Sequence, residues 1–350
     1  MTISNGILTI ERVFDDRATP RKYLFSLENS TVAAPPAFDG SFAPLFPSAY
    51  QVVQTDRGLT LGGTMYPQGS SPPAITPTGT WTGAVVPIRV ECTLLGARGT
   101  WQGRVSYDEG ATWPQTFTSA AAVALTGAGT GITLNIATGN AATNNVWLAT
   151  CSGLADQSGN GKHYVGLGSD PAQWPVITLG VNGVACIANP PSLLGLRLLD
   201  SSLVLPATTT PTMCLAVYRA LGWTAGRRLV GNKTFDNHLA ILQLDGSSPD
   251  LEIYGAAAGS RSSALAINAW GVCEAKWGNS TADYIRLGAA SAVTGTNTGS
   301  IGPGTGRQIF AAGDGNYGAF ELAALIYTPP VDTTAFRAAV ATKYAGLVAA

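Results

Sequence analysis

Residues 86–93 read Val86-Pro87-Ile88-Arg89-Val90-Glu91-Cys92-Thr93, and the alternation in this stretch decides the fold class. Val86, Ile88, Val90 and Cys92 share one parity, and Pro87, Arg89, Glu91 and Thr93 take the other. That is the period-two pattern of a strand with one buried and one wetted face. Downstream, Trp101, Gly103, Val105 and Tyr107 repeat it, and Asp108-Glu109-Gly110 turns the chain back toward Trp113. Residues 121–125 and then Ile132, Leu134 and Ile136 supply two more strands, separated by Gly127, Gly129 and Gly131. Short strands joined by glycine turns predict a small β-sandwich over residues 81–147.

The turn in this sandwich carries a motif. Ser106, Asp108, Gly110, Thr112 and Trp113 fit S-x-D-x-G-x-T-W, which resembles the Asp box of sialidases and related propeller proteins. The resemblance implies that the Asp carboxylate accepts backbone and hydroxyl hydrogen bonds inside the turn while the Trp packs beneath it, a structural role without chemistry. A propeller would repeat the box at blade spacing, and the sequence holds one copy.

Upstream, residues 1–80 place Pro35, Pro36, Pro44, Pro47, Pro72, Pro73 and Pro77 among short apolar runs. Prolines at this density prevent long helices and interior strands. The region is expected to be an extended docking segment that gains its ordering contacts from a neighbour.

Composition narrows the function classes. Of 350 residues, 12% are charged and the net charge is −1, about half the charged fraction of an average globular chain. A chain this bland does not hold nucleic acid by neutralising phosphates. No apolar run approaches the roughly 18 residues of a membrane helix, and the start Met1-Thr2-Ile3-Ser4-Asn5 is not that of a secretory signal. Cys92, Cys151, Cys186, Cys214 and Cys273 are scattered and odd in number, and they read as small buried hydrophobes rather than a disulfide framework or zinc site. With His163 and His238 the only histidines, a His-rich metal centre is excluded and no cofactor is expected.

Beyond residue 147 the loop Asp156-Gln157-Ser158-Gly159-Asn160-Gly161-Lys162 follows an apolar strand. Alternating Met213, Leu215 and Val217, a hairpin entry at 227–231 and the segment 318–327 (GAFELAALIY) come after it, and Lys343, Tyr344, Gly346 and Leu347 close the chain. In that order these motifs resemble the concanavalin-A-like, laminin-G-like lectin/glucanase sandwiches over residues 146–348. The resemblance implies a jelly roll over residues 148–350 with 318–327 as its last strand. Phe336, Val340 and Tyr344 recur four apart, with Ala339 and Leu347 on the same stripe, and Asp332 precedes them as an N-cap, so one helix is expected at the end.

Such sandwiches host both glycan binding and glycoside hydrolysis, so the site must decide. Retaining hydrolysis needs two carboxylates about 5 to 5.5 Å apart. The glucanase string E-x-D-x-x-E is absent, Glu252, Glu274 and Glu321 are isolated, and a hydrolase would have to pair members of the set Asp245, Asp250, Glu252, Glu274 and Asp283. Asp156, Ser158 and Asn160 alternate like the opening of a calcium loop without its later acidic ligand, and they read as an Asx turn with no metal. Trp223, in a loop beside Arg227 and Arg228, is the least core-like tryptophan, and these three are the candidate glycan-binding residues.

The resulting expectation is an all-β chain, a small β-sandwich followed by a concanavalin-A-like jelly roll with one C-terminal helix. Sandwiches of this kind, joined to a preceding one, look like virion structural proteins of tailed bacteriophages. The resemblance implies a non-enzymatic decoration, fibre or tail-associated protein on the particle exterior, assembled in the host cytoplasm. Its partners would be other virion proteins, further copies of itself with trimers favoured, and a host-surface glycan. The alternatives are a polysaccharide-degrading glycoside hydrolase of the virion and a secreted bacterial lectin or adhesin.

Overall fold

The alternation holds over the strand Arg89–Leu94, where Val90 and Cys92 are buried and Arg89 and Glu91 half-buried; residues 86–88 precede the strand, and there Pro87 is buried and Val86 half-buried, against the expected parity. In the computed structural model the described residues are 39–350 apart from 167–172, 191–198, 208–209, 225, 233–239, 244–248, 255–260, 263–264, 279–282, 296–305, 312–316, 346 and 348–350, together with the strands Thr2–Ser4, Ile7–Ile10 and Tyr23–Ser26. Two units result, Met1–Gly40 and Ser41–Ala350. The first holds its three strands as an antiparallel meander, Thr2 opposite Thr9 and Ile7 opposite Ser26.

The second unit is all-β apart from short helices. In its first sandwich a five-stranded sheet runs in the order Gln115–Thr118, Gln102–Ser106, Arg89–Leu94, Val146–Leu148, Tyr66–Gln68. It faces the three strands Ala122–Ala124, Ile132–Ile136 and Ile75–Gly79. Between them Trp101 and Trp147 stack at 5.5 Å between centroids, Phe117 meets Trp101 edge-on at 5.4 Å, and the Trp147 indole N–H donates to the Pro73 carbonyl at 2.8 Å.

Two larger antiparallel sheets make the second sandwich, of nine and eight strands among the described residues. The predicted closing strand is Phe320–Thr328, flanked by Ala185–Ala188, Gln51–Gln54 and Thr212–Ala220, and all nine of its residues are buried. Both of its faces are covered, which is why it reads as a continuous apolar run rather than an alternating one. On the outer side lies the helix Thr334–Lys343, whose Phe336 packs on Phe42 at 5.3 Å and Phe46 at 5.7 Å. Its N-cap position is Thr333, not Asp332. The Asp332 carboxylate accepts the Thr334 N–H from one residue further out, at 2.9 Å. All five cysteines are buried and none is in a disulfide.

The expectation of a docking segment over residues 1–80 is corrected. Residues 41–80 are built into both sandwiches: Gln51–Gln54 pairs with the closing strand, Leu59–Leu61 with Cys151–Leu154, Tyr66–Gln68 with Val146–Leu148, and Ile75–Gly79 with Ile132–Ile136. The prolines do not forbid this, because Pro67 and Pro77 occupy edge strands, where a missing N–H breaks no ladder.

Candidate functional site

The loop after Cys151–Leu154 folds around one carboxylate. Asp156 Oδ1 accepts the Val52 and Ser158 N–H groups at 3.0 and 2.9 Å, and Oδ2 accepts the Ser158 hydroxyl and the Lys162 N–H at 2.9 and 3.0 Å. Burial works to raise the Asp156 pKa, and these hydrogen bonds more than offset it, leaving the group below the usual aspartate value. Gly159 and Gly161 take left-handed backbone (φ +86° and +66°), which allows so tight a return. Asn160 Nδ2 donates to the Ala49 carbonyl at 2.8 Å, so the loop also holds the strand leading into the second sandwich. With both Asp156 oxygens engaged by protein donors, Asp156, Ser158 and Asn160 form the Asx-type turn read from the sequence.

This turn positions a histidine. The Asp156 N–H donates to His163 Nδ1 at 2.9 Å, so Nδ1 is an acceptor and the ring proton of the neutral imidazole lies on Nε2. The Lys162 carbonyl accepts from Gln51 Nε2 and, at 3.1 Å, from the Ser201 hydroxyl, tying the loop to the strand Leu199–Ser201.

His163 stands on the rim of an open groove of about 580 Å³ on the nine-stranded sheet, lined by Val165, Asp200, Ser202, Val204 and the backbone of Gly161 and Gly306. Val165, on the strand Tyr164–Gly166, and Val204, in the segment that follows Leu199–Ser201, are 57% and 53% exposed. Strand register sets a row across this face: Val165 lies opposite Asp200, and Asp200 opposite Gln308. Gln308 Nε2 donates to Asp200 Oδ1 at 2.8 Å, while Gln308 Oε1 is buried and has no hydrogen-bond partner among the described residues. The groove thus combines exposed methyl groups, an imidazole donor and a hydroxyl over a carboxylate that is only 5% exposed. Sequence reading missed it because a strand valine looks the same whether it faces core or water; the register that brings His163, Asp200 and Gln308 to one face is a tertiary fact.

The residues singled out for glycan recognition take other places. Trp223 is half-buried with its ring against the main core, and Arg228 is 4% exposed within the strand Arg228–Asn232. Gln243 holds the Trp223 loop inward, accepting the Thr224 N–H at 2.9 Å and donating to the Gly222 carbonyl at 2.6 Å. Trp223, Arg227 and Arg228 therefore form no exposed stacking platform, and this expectation is corrected.

The Asp-box-like turn has the geometry its motif predicts. Asp108 Oδ1 accepts the Thr112 N–H at 2.8 Å and the Ser106 hydroxyl at 2.6 Å, Oδ2 accepts the Thr112 hydroxyl at 2.5 Å, and Ser106 Oγ accepts the Gly110 N–H at 2.7 Å. Arg104 stacks over Trp113 at 4.0 Å. The Ser106 and Thr112 bonds lower the Asp108 pKa to about 2, so the turn keeps its anion until the pH falls through that value. Asp108→Ala is expected to speed amide exchange at Thr112 about tenfold in hydrogen-exchange measurements while the nine-stranded sheet exchanges unchanged.

Of the carboxylates a hydrolase would pair, Asp245 lies outside the described residues. Glu274 is fully buried between Arg286 and Arg337, and Asp283 accepts the Gly278 N–H. Glu321 is engaged by Arg219 and by the Thr178 hydroxyl. These are bonds that hold strands and the helix together.

No family model and no curated protein matches the chain. Among solved structures it is similar to domain 4 of AbnA, a GH43 extracellular arabinanase from Geobacillus stearothermophilus in complex with arabinotriose, at 13% identity and TM-score 0.36 over 50% of this chain and 86% of that one. A GH54 α-L-arabinofuranosidase aligns at 13% identity and TM-score 0.43, over 86% of this chain and 63% of that one. Trypanosoma rangeli sialidase aligns at 9% and 0.34, over 78% and 61%. The chain spans less than two thirds of the last two. These neighbours, glycoside hydrolases and a sialidase, overturn the expectation that the chain is not an enzyme, and no exclusion of catalysis stands. At such identities the likeness concerns the all-β fold, and no activity passes from them to this chain.

Proposed function

We propose that this chain is a carbohydrate-engaging β-sandwich protein displayed on the exterior of a tailed-phage particle, with the groove beside His163 as its saccharide site. The observation that carries the reading is the groove itself. Exposed Val165 and Val204 offer C–H surface to the apolar face of a sugar ring, and His163 and Ser202 offer an imidazole N–H and a hydroxyl to its oxygens above the largely buried Asp200. Saccharide recognition asks for that mixture, because a sugar presents both kinds of surface. The virion placement is supported by the order of the sequence motifs over residues 146–348 and by the low charge of a turn-rich chain, and copies of the chain would assemble symmetrically, as trimers on a fibre or decoration site.

Asp200 also gives the glycoside-hydrolase reading a carboxylate in the groove, and one experiment serves both. The wild-type chain and Asp200→Asn are applied to an array of neutral and acidic glycans, including arabinotriose, and the eluates are assayed for new reducing ends. Binding that falls about tenfold or more in Asp200→Asn supports the site. Reducing ends released by the wild type alone make it hydrolytic. No retention of any glycan, or equal retention by both proteins, would sink the proposal.

A further inference from the structure

We infer that the saccharide site is a cleft for a chain of sugar units, running from the His163 groove across Val165 to a second hollow at Gly153 and Thr60, so that its ligand is an oligosaccharide rather than a single sugar; this rests on the saccharide reading above. Two hollows carry the inference. The groove of about 580 Å³ has beside it one of about 330 Å³, lined by Thr60, Ser152, Gly153 and Ala155 and again by His163 and Val165. His163 and Val165 are thus a shared wall, and both are exposed.

Sheet register lines the hollows up. Thr60 lies opposite Gly153, Gly153 opposite Val165, Val165 opposite Asp200 and Asp200 opposite Gln308. Opposed residues of antiparallel neighbours point to the same face, so these five form one row across the strands. Its four interstrand steps, at about 4.8 Å each, span about 19 Å. A sugar unit within a chain advances by about one such step, so the row has room for about five units, of which the larger hollow, from Val165 to Gln308, takes about three.

The second hollow exists because the row has no side chain at Gly153. A Cβ there would stand 2.9 Å from the Tyr164 carbonyl oxygen and 3.7 Å from the Thr60 hydroxyl, so the close approach of the neighbouring strand favours glycine and keeps the space between Thr60 and Val165 open. The walls suit a sugar here too. Thr60 is exposed, and Ser152 donates its hydroxyl hydrogen to the Leu61 carbonyl at 2.9 Å, which leaves its oxygen able to accept. Leu59–Leu61 is the edge strand of the nine-stranded sheet, so among the described residues a chain laid along the row passes Thr60 without meeting a further strand of that sheet.

Chain length is the test. Arabinotriose and arabinohexaose, and chitotriose and chitohexaose, are titrated calorimetrically into the full-length wild type and Thr60→Arg, with thermal unfolding of both. Thr60 is exposed on an edge strand, a place that accepts a long charged side chain, and the arginine would occupy the second hollow. The wild type should hold the hexaose of the sugar it binds at least about tenfold more tightly than the triose, beyond the roughly fourfold that the hexaose gains by offering more three-unit stretches. Thr60→Arg should hold the triose within about twofold of the wild type and lose most of the hexaose's advantage. A wild-type gain no larger than the statistical one, or a gain that survives in Thr60→Arg, would overturn the cleft while leaving the saccharide site standing. The first of these comparisons needs the wild type alone, so it decides even if Thr60→Arg does not fold. A wild type that binds none of the four would overturn this inference together with the reading it rests on.

Discussion

Glu274→Ala is expected to lower the unfolding free energy by about 3–5 kcal/mol, measured as a shift of the denaturant midpoint without a change of slope. The side chain has no exposed surface and lies between two guanidinium groups, Arg286 from the neighbouring strand and Arg337 from the terminal helix. The Thr333 hydroxyl donates to the same carboxylate at 3.0 Å. Removing the carboxylate leaves two cations facing each other in a site of restricted hydration, and their repulsion would lift the helix from the sheet. Glu274→Gln keeps the shape and loses the charge, so its cost should be smaller. Added salt should narrow the difference only slightly, because the pair is shielded from counterions.

The second large effect is at Asp156. Replacement by alanine takes the acceptor from the Val52, Ser158 and Lys162 N–H groups and from the Ser158 hydroxyl. The cost is about 3 kcal/mol, since four bonds are lost and the one from Val52 is buried. The pH dependence follows from the lowered pKa. The folded state favours the anion more than the unfolded chain does, so the contribution is fully present above the ordinary aspartate pKa and is lost as the pH falls through the lower, folded value. Below the ordinary aspartate pKa of about 4 the wild type should therefore lose stability more steeply with falling pH than Asp156→Ala, which lacks this group. Saccharide binding should disappear in the same variant, because the turn that aims His163 is no longer held.

How far these features were legible follows from the distances in sequence over which they are decided. The strand Arg89–Leu94, the turn at Asp108 and the turn at Asp156 each depend on residues within a few positions, and the two turns' hydrogen bonds close where the motifs place them. The closing strand and the terminal helix were legible as an apolar run and a four-residue repeat. Residues 41–80 were misread because proline density reports what a segment is not, and edge strands at Pro67 and Pro77 were left out of account. Trp223 was misread because a polar neighbourhood in sequence does not reveal that Gln243, on a separate strand, folds the loop inward. The groove was illegible for the same reason: His163, Asp200 and Gln308 are assembled by register across three strands or their ends.

The central claim, that the groove beside His163 holds a saccharide, is tested most directly by chemical-shift mapping of the isotopically labelled full chain titrated with arabinotriose and chitotriose. The account predicts saturable shifts confined to Gly161, His163, Val165, Asp200, Ser202, Val204 and Gly306. Shifts clustered instead around Trp223 and Arg227, or none at saturating sugar, would contradict it.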